Sequence, residues 1–379
     1  MRRVAITEVA QISGPDSKAN FYDQAYRVTR EVLDKAGLSR DEVGTIVSAS
    51  TDVFHGGISC ANSYYWESTG SFMKAGTRQD GESLFALYYA FMKILTGQYD
   101  TVLVVGLCKG SENPDNDAIT QFIAEPFYQR PVGLNETTAA AMQMQYYMEA
   151  YGVTAEQCAM VVEKNLSNAL RNPYADRKGS YSTEEVLASG SICHPLTDLM
   201  CAPKSEGFIA LLLAAEDKAR EITEQPVWMK GYGCALDTYV LGDRDLLAGQ
   251  LPNAAQQAYK MASITDPATE IDLVELCEPY AFQELLWCEQ LGLCGRGEGG
   301  RLIADGKTRI EGELPVNPSG GVLATNPYVS RGLQRVVEAT LQIRGHAGEH
   351  QVRKEVRTAL CHGVTGFAGQ CHAVAVIAK

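Results

Sequence analysis

The chain has no excess of positive charge: 33 Lys and Arg stand against 46 Asp and Glu, a formal charge of −13. That excludes the basic stripe that nucleic-acid binding requires, and ordinary solubility accounts for the acidity. It has no apolar run of about 18 residues, so no membrane-spanning helix is expected. None of its 11 cysteines stands in a C-x-x-C pair, and the four-ligand spacing of a zinc site is missing. Two Cys-His dipeptides, Cys361-His362 and Cys371-His372, fall in a strand–loop–strand pattern. The glycine-rich GRGEGG at 295–300 lacks a following Gly-Lys-Ser/Thr. It reads as a mobile loop and not as a nucleotide P-loop. At the start, MRRVAITEVAQ is broken by Glu8 and reads as a first strand, not a signal peptide. A reducing, cytoplasmic setting follows as the expectation, with no metal and the cysteines mostly as thiols.

What is present is the pattern of a large α/β protein: 379 residues, 45% hydrophobic, with 35 glycines, enough for two domains or one double domain. The organising stretch is Asp80 to Gly106, DGESLFALYYAFMKILTGQYDTVLVVG. Leu84 to Leu95 is apolar on almost every face and predicts a helix covered on both sides. Thr101–Val105 predicts a buried parallel strand. Asp80 stands where an N-cap belongs, with Glu82 in the first turn. Such a helix start suits a nucleophile or an oxyanion.

Val4–Ala10 reads as strand, 20–36 as an amphipathic helix and Thr45–Ser48 as strand. Residues 51–79 read as a polar loop holding His55, Cys60 and Trp66. Residues 111–132 are acidic and irregular. Helices are expected over 135–151, 154–171 and 182–188, followed by a strand over 207–215. A second half opens near Pro226, with strand 228–233, helix 246–262, strand 271–276 and helix 281–291. Then come helix 332–343, a polar hairpin 344–354, and strands 357–361 and 373–378. A loop, a buried helix and a buried strand recur once in each half, a faint internal duplication.

Several stretches together resemble the thiolase superfamily, most closely its sterol-carrier-protein-x and archaeal branch. They are GQYDTVLVVG, YGVTAEQCAMVVEKNLSNALRNPYA, CHPLTDLMCAPKSEGFIALLL, EQLGLCGRGEGG, ELPVNPSGG and LQIRGHAG. The resemblance spans essentially the whole chain. It implies a five-layered α-β-α-β-α fold from two similar halves, 1–225 and 226–379, with an inserted helical loop domain near 112–200 that covers coenzyme A. It also implies a homodimer or higher oligomer. Two-subunit members such as benzoylsuccinyl-CoA thiolase imply a small partner carrying a zinc finger and an OB-fold.

The family's catalytic cysteine falls on Asp80, in Asp-Gly-Glu-Ser, and no cysteine lies between Cys60 and Cys108. Asp80 is then either a structural cap or a catalytic carboxylate. The His-Asp-Cys-Phe motif becomes Cys277-Glu278-Pro279-Tyr280. Cys277 is a core thiol, a substitute nucleophile or a proton donor. Asn326 takes the Gly-His-Pro histidine position as an oxyanion donor. His362 survives as an acid/base candidate in Cys361-His362-Gly363. Tyr280 and Tyr328 are packing residues or proton carriers. Asn317, Ser319, Gly320 and Gly321, with Gly363, are expected to shape the coenzyme A floor. Three functions stay open: a thiolase-type acyltransferase on a 3-oxoacyl-CoA, with coenzyme A as substrate or product and no covalently bound cofactor; a retro-aldolase on a β-hydroxyacyl-CoA; and a silent scaffold subunit.

Overall fold

The computed structural model describes residues 2–14, 19–52, 66–113 and 115–379. His55 and Cys60 lie outside them. The first half runs β1 (Val4–Ser13), α1 (Phe21–Ala36), β2 (Thr45–Ser50), β3 (Gly76–Asp80), α2 (Ser83–Leu95) and β4 (Thr101–Lys109). An excursion follows: α3 (Asn116–Ile123), α4 (Glu136–Tyr151), α5 (Ala155–Ala169), α6 (Thr183–Leu187), and the hairpin β5 (Ser191–Cys193) and β6 (Leu196–Thr197). The chain returns as β7 (Glu206–Ala215) and α7 (Glu216–Ile222). The second half holds β8 (Val227–Leu236), α8 (Leu251–Ala262), α9 (Pro267–Glu270), β9 (Leu273–Glu275) and α10 (Ala281–Gln290). It closes with α11 (Gly299–Ala304), α12 (Gly321–Ala324), α13 (Arg331–Arg344), β10 (Thr358–Thr365) and β11 (Cys371–Ala378).

The strands order as β3-β2-β4-β7-β1-β8-β11-β10-β9. β1 and β8 meet only through Ala5↔Trp228 and Ile6↔Val227, so the order divides there into two similar sheets. In each, the first and last strands of the half lie side by side and antiparallel. β9 beside β10 matches β2 beside β4, both parallel. A single parallel bridge, Val274↔Val316, stands where the first half has β3. The duplication expected from element order is thus a duplication of topology.

Layering follows from where the apolar side chains point. α1 places Phe21, Ala25, Val28, Val32 and Leu33 on one stripe against Leu103, Val105, Phe208 and Leu212 of the first sheet. Asn20 caps its start by accepting the Asp23 N–H at 2.8 Å, and Gly37 ends it at φ 64°. α2, apolar on almost every face, and α13, buried nearly all round although it carries Gln334, Arg335, Glu338 and Gln342, lie between the sheets, within one core that contains Leu84, Leu87, Val104, Leu211, Leu333, Val337, Ala375 and Ile377. α8 and α10 cover the far face with Leu251, Ala255, Leu285 and Trp287. The result is the five-layered α-β-α-β-α fold, with the helical excursion inserted between β4 and β7.

The expectations need four corrections. The polar 51–79 stretch ends in strand β3, which pairs in parallel with β2; its polar sequence Gly-Thr-Arg-Gln-Asp hid a strand that is only half-buried. The cap of α2 is Glu82, not Asp80: its carboxylate accepts the Leu84 N–H at 2.6 Å. Residues 344–354 form no hairpin; Gly345 closes α13 in a left-handed turn and a short 3-10 turn follows. The GRGEGG loop ends by opening α11, with Gly297 and Gly299 N–H bound to Glu289 at 2.8 and 2.9 Å.

Ser83 joins the two central helices, since its Oγ accepts the Leu333 N–H of α13 at 2.9 Å. Ser83→Ala leaves that buried N–H unsatisfied. It is expected to cost about 1–3 kcal/mol, measured as a lower urea midpoint with an unchanged m-value.

Candidate active site

The starts of α2 and α13 point at each other, and a single carboxyl group fills the gap. Glu82 is fully buried. It accepts the Leu84 N–H of its own helix and the Gly332 N–H of α13. Negative charge is stabilised at a helix N-terminus, and here two N-termini share one group. Space for it comes from Gly332 and Gly363, where any β-carbon would collide with its oxygens. Burial pushes the Glu82 carboxyl up to about 7, against the Leu84 and Gly332 N–H groups and the Arg331 charge.

Arg331 opens α13 and is itself 1% exposed. Its guanidinium donates to Val364 O at 2.7 Å and to Asn326 Oδ1 at 3.4 Å. It stands 3.7 Å from Glu136 and covers the Tyr328 ring at 4.5 Å. Burial works against its charge, but Cys277, Glu136, Tyr328 and Glu82 around it outweigh that and hold its pKa above the ordinary value. Because Arg331 only donates, it fixes the Asn326 amide with the carbonyl inward. The Asn326 NH₂ is left facing the cavity.

That cavity, of about 260 Å³, lies between the excursion and the second half. Asn326, Tyr328, Pro279 and Tyr280 form its floor, while Glu136, Thr137, Asp117, Arg177 and Cys201 come from the excursion. Two phenol–carboxyl paths reach it. Tyr280 Oη lies 3.0 Å from Thr137 Oγ1, which donates to Asp117 Oδ1 at 2.8 Å. The threonine proton is spent on Asp117, so Tyr280 donates to Thr137 and keeps its own lone pairs for the cavity. Tyr328 is hydrogen-bonded to Glu136 and to Thr365. Burial and Glu136 raise both phenols above their ordinary pKa, and burial raises Glu136 against Arg331 and Tyr328.

The structure brings together Asn326, Tyr280 and Tyr328 from the residues singled out by sequence. Asp80 ends β3 with its side chain 63% exposed beside Arg78, and does not line the cavity. Cys277 is fully buried behind it, its thiol pushed up to about 12 by burial and by Glu82 and Glu278. His362 points to the opposite face of β10, away from Gly363. Its Nδ1 accepts the Cys277 N–H at 3.4 Å and its Nε2 meets His372 Nδ1 at 2.9 Å. Trp287 packs edge-on against both rings. Among the described residues no group of three or more His, Cys, Asp or Glu is arranged to hold a metal.

The expected coenzyme A floor is internal structure. Ser319 Oγ binds Glu275 at 2.7 Å and Arg335 at 2.8 Å. Asn317 binds the Leu276 N–H and Glu284. Gly320 and Gly321 turn at positive φ against Ala169 and Glu278, and Gly363 makes room for Glu82. Burial and Glu284 push the Glu278 carboxyl up to about 8.

Sequence reasoning missed Glu136, Thr137, Asp117 and Arg331 as site residues. Glu136 and Thr137 read as the opening turn of a helix, and Arg331 as its flank. The one available signal was a charge, Arg331, at the very start of a helix. The only described cysteine lining the cavity is Cys201, raised to about 12 by burial and Asp198.

A polar cavity roofed by a helical insertion, on the floor of a duplicated five-layered α/β scaffold, defines the thiolase class of fold. Residues 233–379 match the family model described as thiolase C-terminal domain-like. The acetyl-CoA acetyltransferase of Methanothermobacter thermautotrophicus is 32% identical, over 97% of this chain and 98% of that one. The benzoylsuccinyl-CoA thiolase subunit BbsB of Thauera aromatica is 33% identical over 62% of this chain and 60% of that one. In fold, the chain superimposes on an Ltp2-ChsH2(DUF35) aldolase with a TM-score of 0.85 at 22% identity, covering 100% of this chain and 98% of that one. The chain belongs to the thiolase family and is a thiolase-like enzyme, with relatives named as acyltransferase and thiolase. No helix of the described residues is long and apolar enough to cross a membrane.

The histidine pair generates a pH test. Burial depresses His362 well below its usual value and His372 to about 3. Both are therefore neutral when folded and take up protons on unfolding. Their contribution is complete above about 6.5 and is lost as pH falls below it. His372→Gln is expected to flatten this loss, seen as a wild-type melting temperature that drops more steeply than the variant's between about pH 6.5 and 4.

Proposed function

We propose that this chain is a coenzyme A-dependent, thiolase-like subunit that makes or breaks a carbon–carbon bond beside a thioester. The observation that carries the reading is the convergence of Asn326, Tyr280, Tyr328 and Glu136 on one polar cavity. Asn326 NH₂ offers a fixed donor to the thioester oxygen, where negative charge develops as the α-carbon becomes an enolate.

Two ways of using that enolate differ in whether an acyl-enzyme forms. Acyl transfer keeps the reaction named for the acetyl-CoA acetyltransferase and benzoylsuccinyl-CoA thiolase relatives. It needs a thiolate. Among the described residues the cavity offers only Cys201, whose raised pKa leaves it protonated at neutral pH. The aldol mode needs no thiolate, and the lack of one among the described lining residues favours it.

In that mode the β-hydroxyl of a β-hydroxyacyl-CoA gives its proton to Tyr280 as the phenol proton passes to Thr137 and the threonine proton to Asp117. The Cα–Cβ bond breaks, its electrons form the enolate held by Asn326, and a carbonyl product departs. Tyr328, whose phenol is hydrogen-bonded to Glu136 and lines the cavity, delivers a proton to the α-carbon, and the phenol is reprotonated from solvent beside Glu136. A partner subunit is part of the reading, as the names of the BbsB subunit and the Ltp2-ChsH2 assembly involve more than one chain. A small protein with a zinc finger and an OB-fold remains the expected kind.

The decisive experiment is intact-mass spectrometry after incubation with acyl-CoA or 3-oxoacyl-CoA, alongside carbonyl release from a β-hydroxyacyl-CoA. Carbonyl release with no acyl adduct is expected. An adduct on Cys201 that vanishes in Cys201→Ser restores the acyl-transfer mode. Tyr280→Phe is expected to lower kcat about 10²–10⁴-fold with little change in KM, read in the carbonyl-release assay.

A further inference from the structure

Arg177 stands half-buried on the wall of the polar cavity. One terminal nitrogen of its guanidinium donates to Cys201 O at 2.7 Å. The rest of its donor fork has no acceptor among the described residues, and it forms no ion pair with them. Burial pulls its pKa below the ordinary arginine value, and the charge of Asp198 offsets this only in part. A charge drawn part-way out of water is costly unless it is paired. An unpaired guanidinium on a cavity wall therefore marks a place for a negative group brought by the ligand.

The backbone fixes this group relative to the reacting ones. The Arg177 N–H donates to Ala324 O at 2.9 Å and the Asp176 N–H to Thr325 Oγ1 at 3.2 Å. Those two acceptors directly precede Asn326. At the other end, Cys201, whose carbonyl holds the guanidinium, is bridged to Tyr280 as an antiparallel pair. Arg177 is thus held in register with the chain segments that carry both the Asn326 amide and the Tyr280 phenol. The carboxyl groups of the same wall have other donors: Asp115 accepts the Asp117 and Ala118 N–H groups, Asp117 accepts Thr137 Oγ1, and Glu136 is held by Tyr328 and Arg331.

The free edge of a guanidinium matches an anionic oxygen group, which it can bind through two parallel N–H bonds. A thioester of coenzyme A can bring two such groups, a phosphate of the nucleotide arm or a carboxylate on the acyl group. The cavity, at about 260 Å³, lies below the ~300–1,000 Å³ of pockets that enclose a drug-sized ligand, and it suits an acyl group better than a nucleotide. We propose that Arg177 determines specificity in this site by binding a carboxylate carried on the acyl group of the substrate. This rests on the coenzyme A reading above and narrows its substrate class to carboxylated acyl thioesters.

The test is isothermal titration calorimetry with unreactive thioether analogues, whose acyl group ends in a carboxylate or in its methyl ester, each built on coenzyme A and on pantetheine. The wild type is expected to bind the carboxylate about 10–100-fold more tightly than the ester on both carriers, the range for a hydrogen-bonded charge. Arg177→Gln is expected to erase that difference and leave the ester affinity unchanged. A wild type that binds carboxylate and ester equally overturns the proposal, while ester binding on coenzyme A leaves the coenzyme A reading standing. A preference that persists in folded Arg177→Gln overturns it too, even where the variant is less stable. A loss in Arg177→Gln that is equal for both acyl ends and confined to the coenzyme A carriers assigns the guanidinium to a phosphate and overturns the acyl assignment. If Arg177→Gln does not fold, Arg177→Lys takes its place: it must weaken the carboxylate analogue more than the ester, and equal weakening overturns the proposal. A carboxylate preference that depends on Arg177, in a protein that releases no carbonyl product, supports the proposal and sinks the aldol mode instead.

Discussion

One carboxyl group at the meeting point of two helix starts sets the geometry of the whole interior. α2 belongs to the first half and α13 to the second, and each leaves orphan N–H groups at its buried end. Water does not reach them. Glu82 answers Leu84 and Gly332, and Ser83 answers Leu333. The two halves are thereby held tip to tip, which fixes where Arg331 stands and hence where Asn326 points. The sheets' own seam, two residue pairs between β1 and β8, gives far less registration than this polar joint.

The same joint explains why the position assigned to the nucleophile is vacated at Asp80. The carboxyl that occupies the space between the helix tips comes from two residues later in the sequence. Placed there, a carboxylate is poorly suited to carry an acyl group, since the product would be a reactive anhydride. It suits structural work: an acceptor shared by the Leu84 and Gly332 N–H groups that ties the two helix starts together. The chemistry is displaced outward, to Tyr280, Tyr328 and Glu136 on the cavity wall.

Sequence revealed the scaffold well because scaffold signals are local. The almost wholly apolar Leu84–Leu95 run, the Thr101–Val105 strand and the stop at Gly97 each follow from periodicity and turn chemistry. The missed elements were those whose partners are distant. β3 is polar and becomes a strand only by pairing with β2. The site divides the same way. Asn326 and Tyr280 were legible from motif position. Glu136 and Thr137 were not, because a capped helix start such as Asn135-Glu136-Thr137-Thr138 looks alike whether it faces solvent or a cavity. His362 failed for a reason of parity: neighbouring residues on a strand face opposite ways, so when Gly363 faces Glu82, His362 must face Trp287.

Both proton paths leave the cavity floor and end on the excursion: Tyr280 through Thr137 of α4 to Asp117 of α3, and Tyr328 on Glu136 of α4. The reacting surface and its proton reservoirs thus belong to different parts of the chain. A shift of α4 by little more than an ångström would part hydrogen bonds that are 3 Å long, and both reservoirs would disconnect together. An unseated roof leaves the floor able to bind but unable to exchange hydrogen ions, so a reactive enolate can arise only beneath a closed vault.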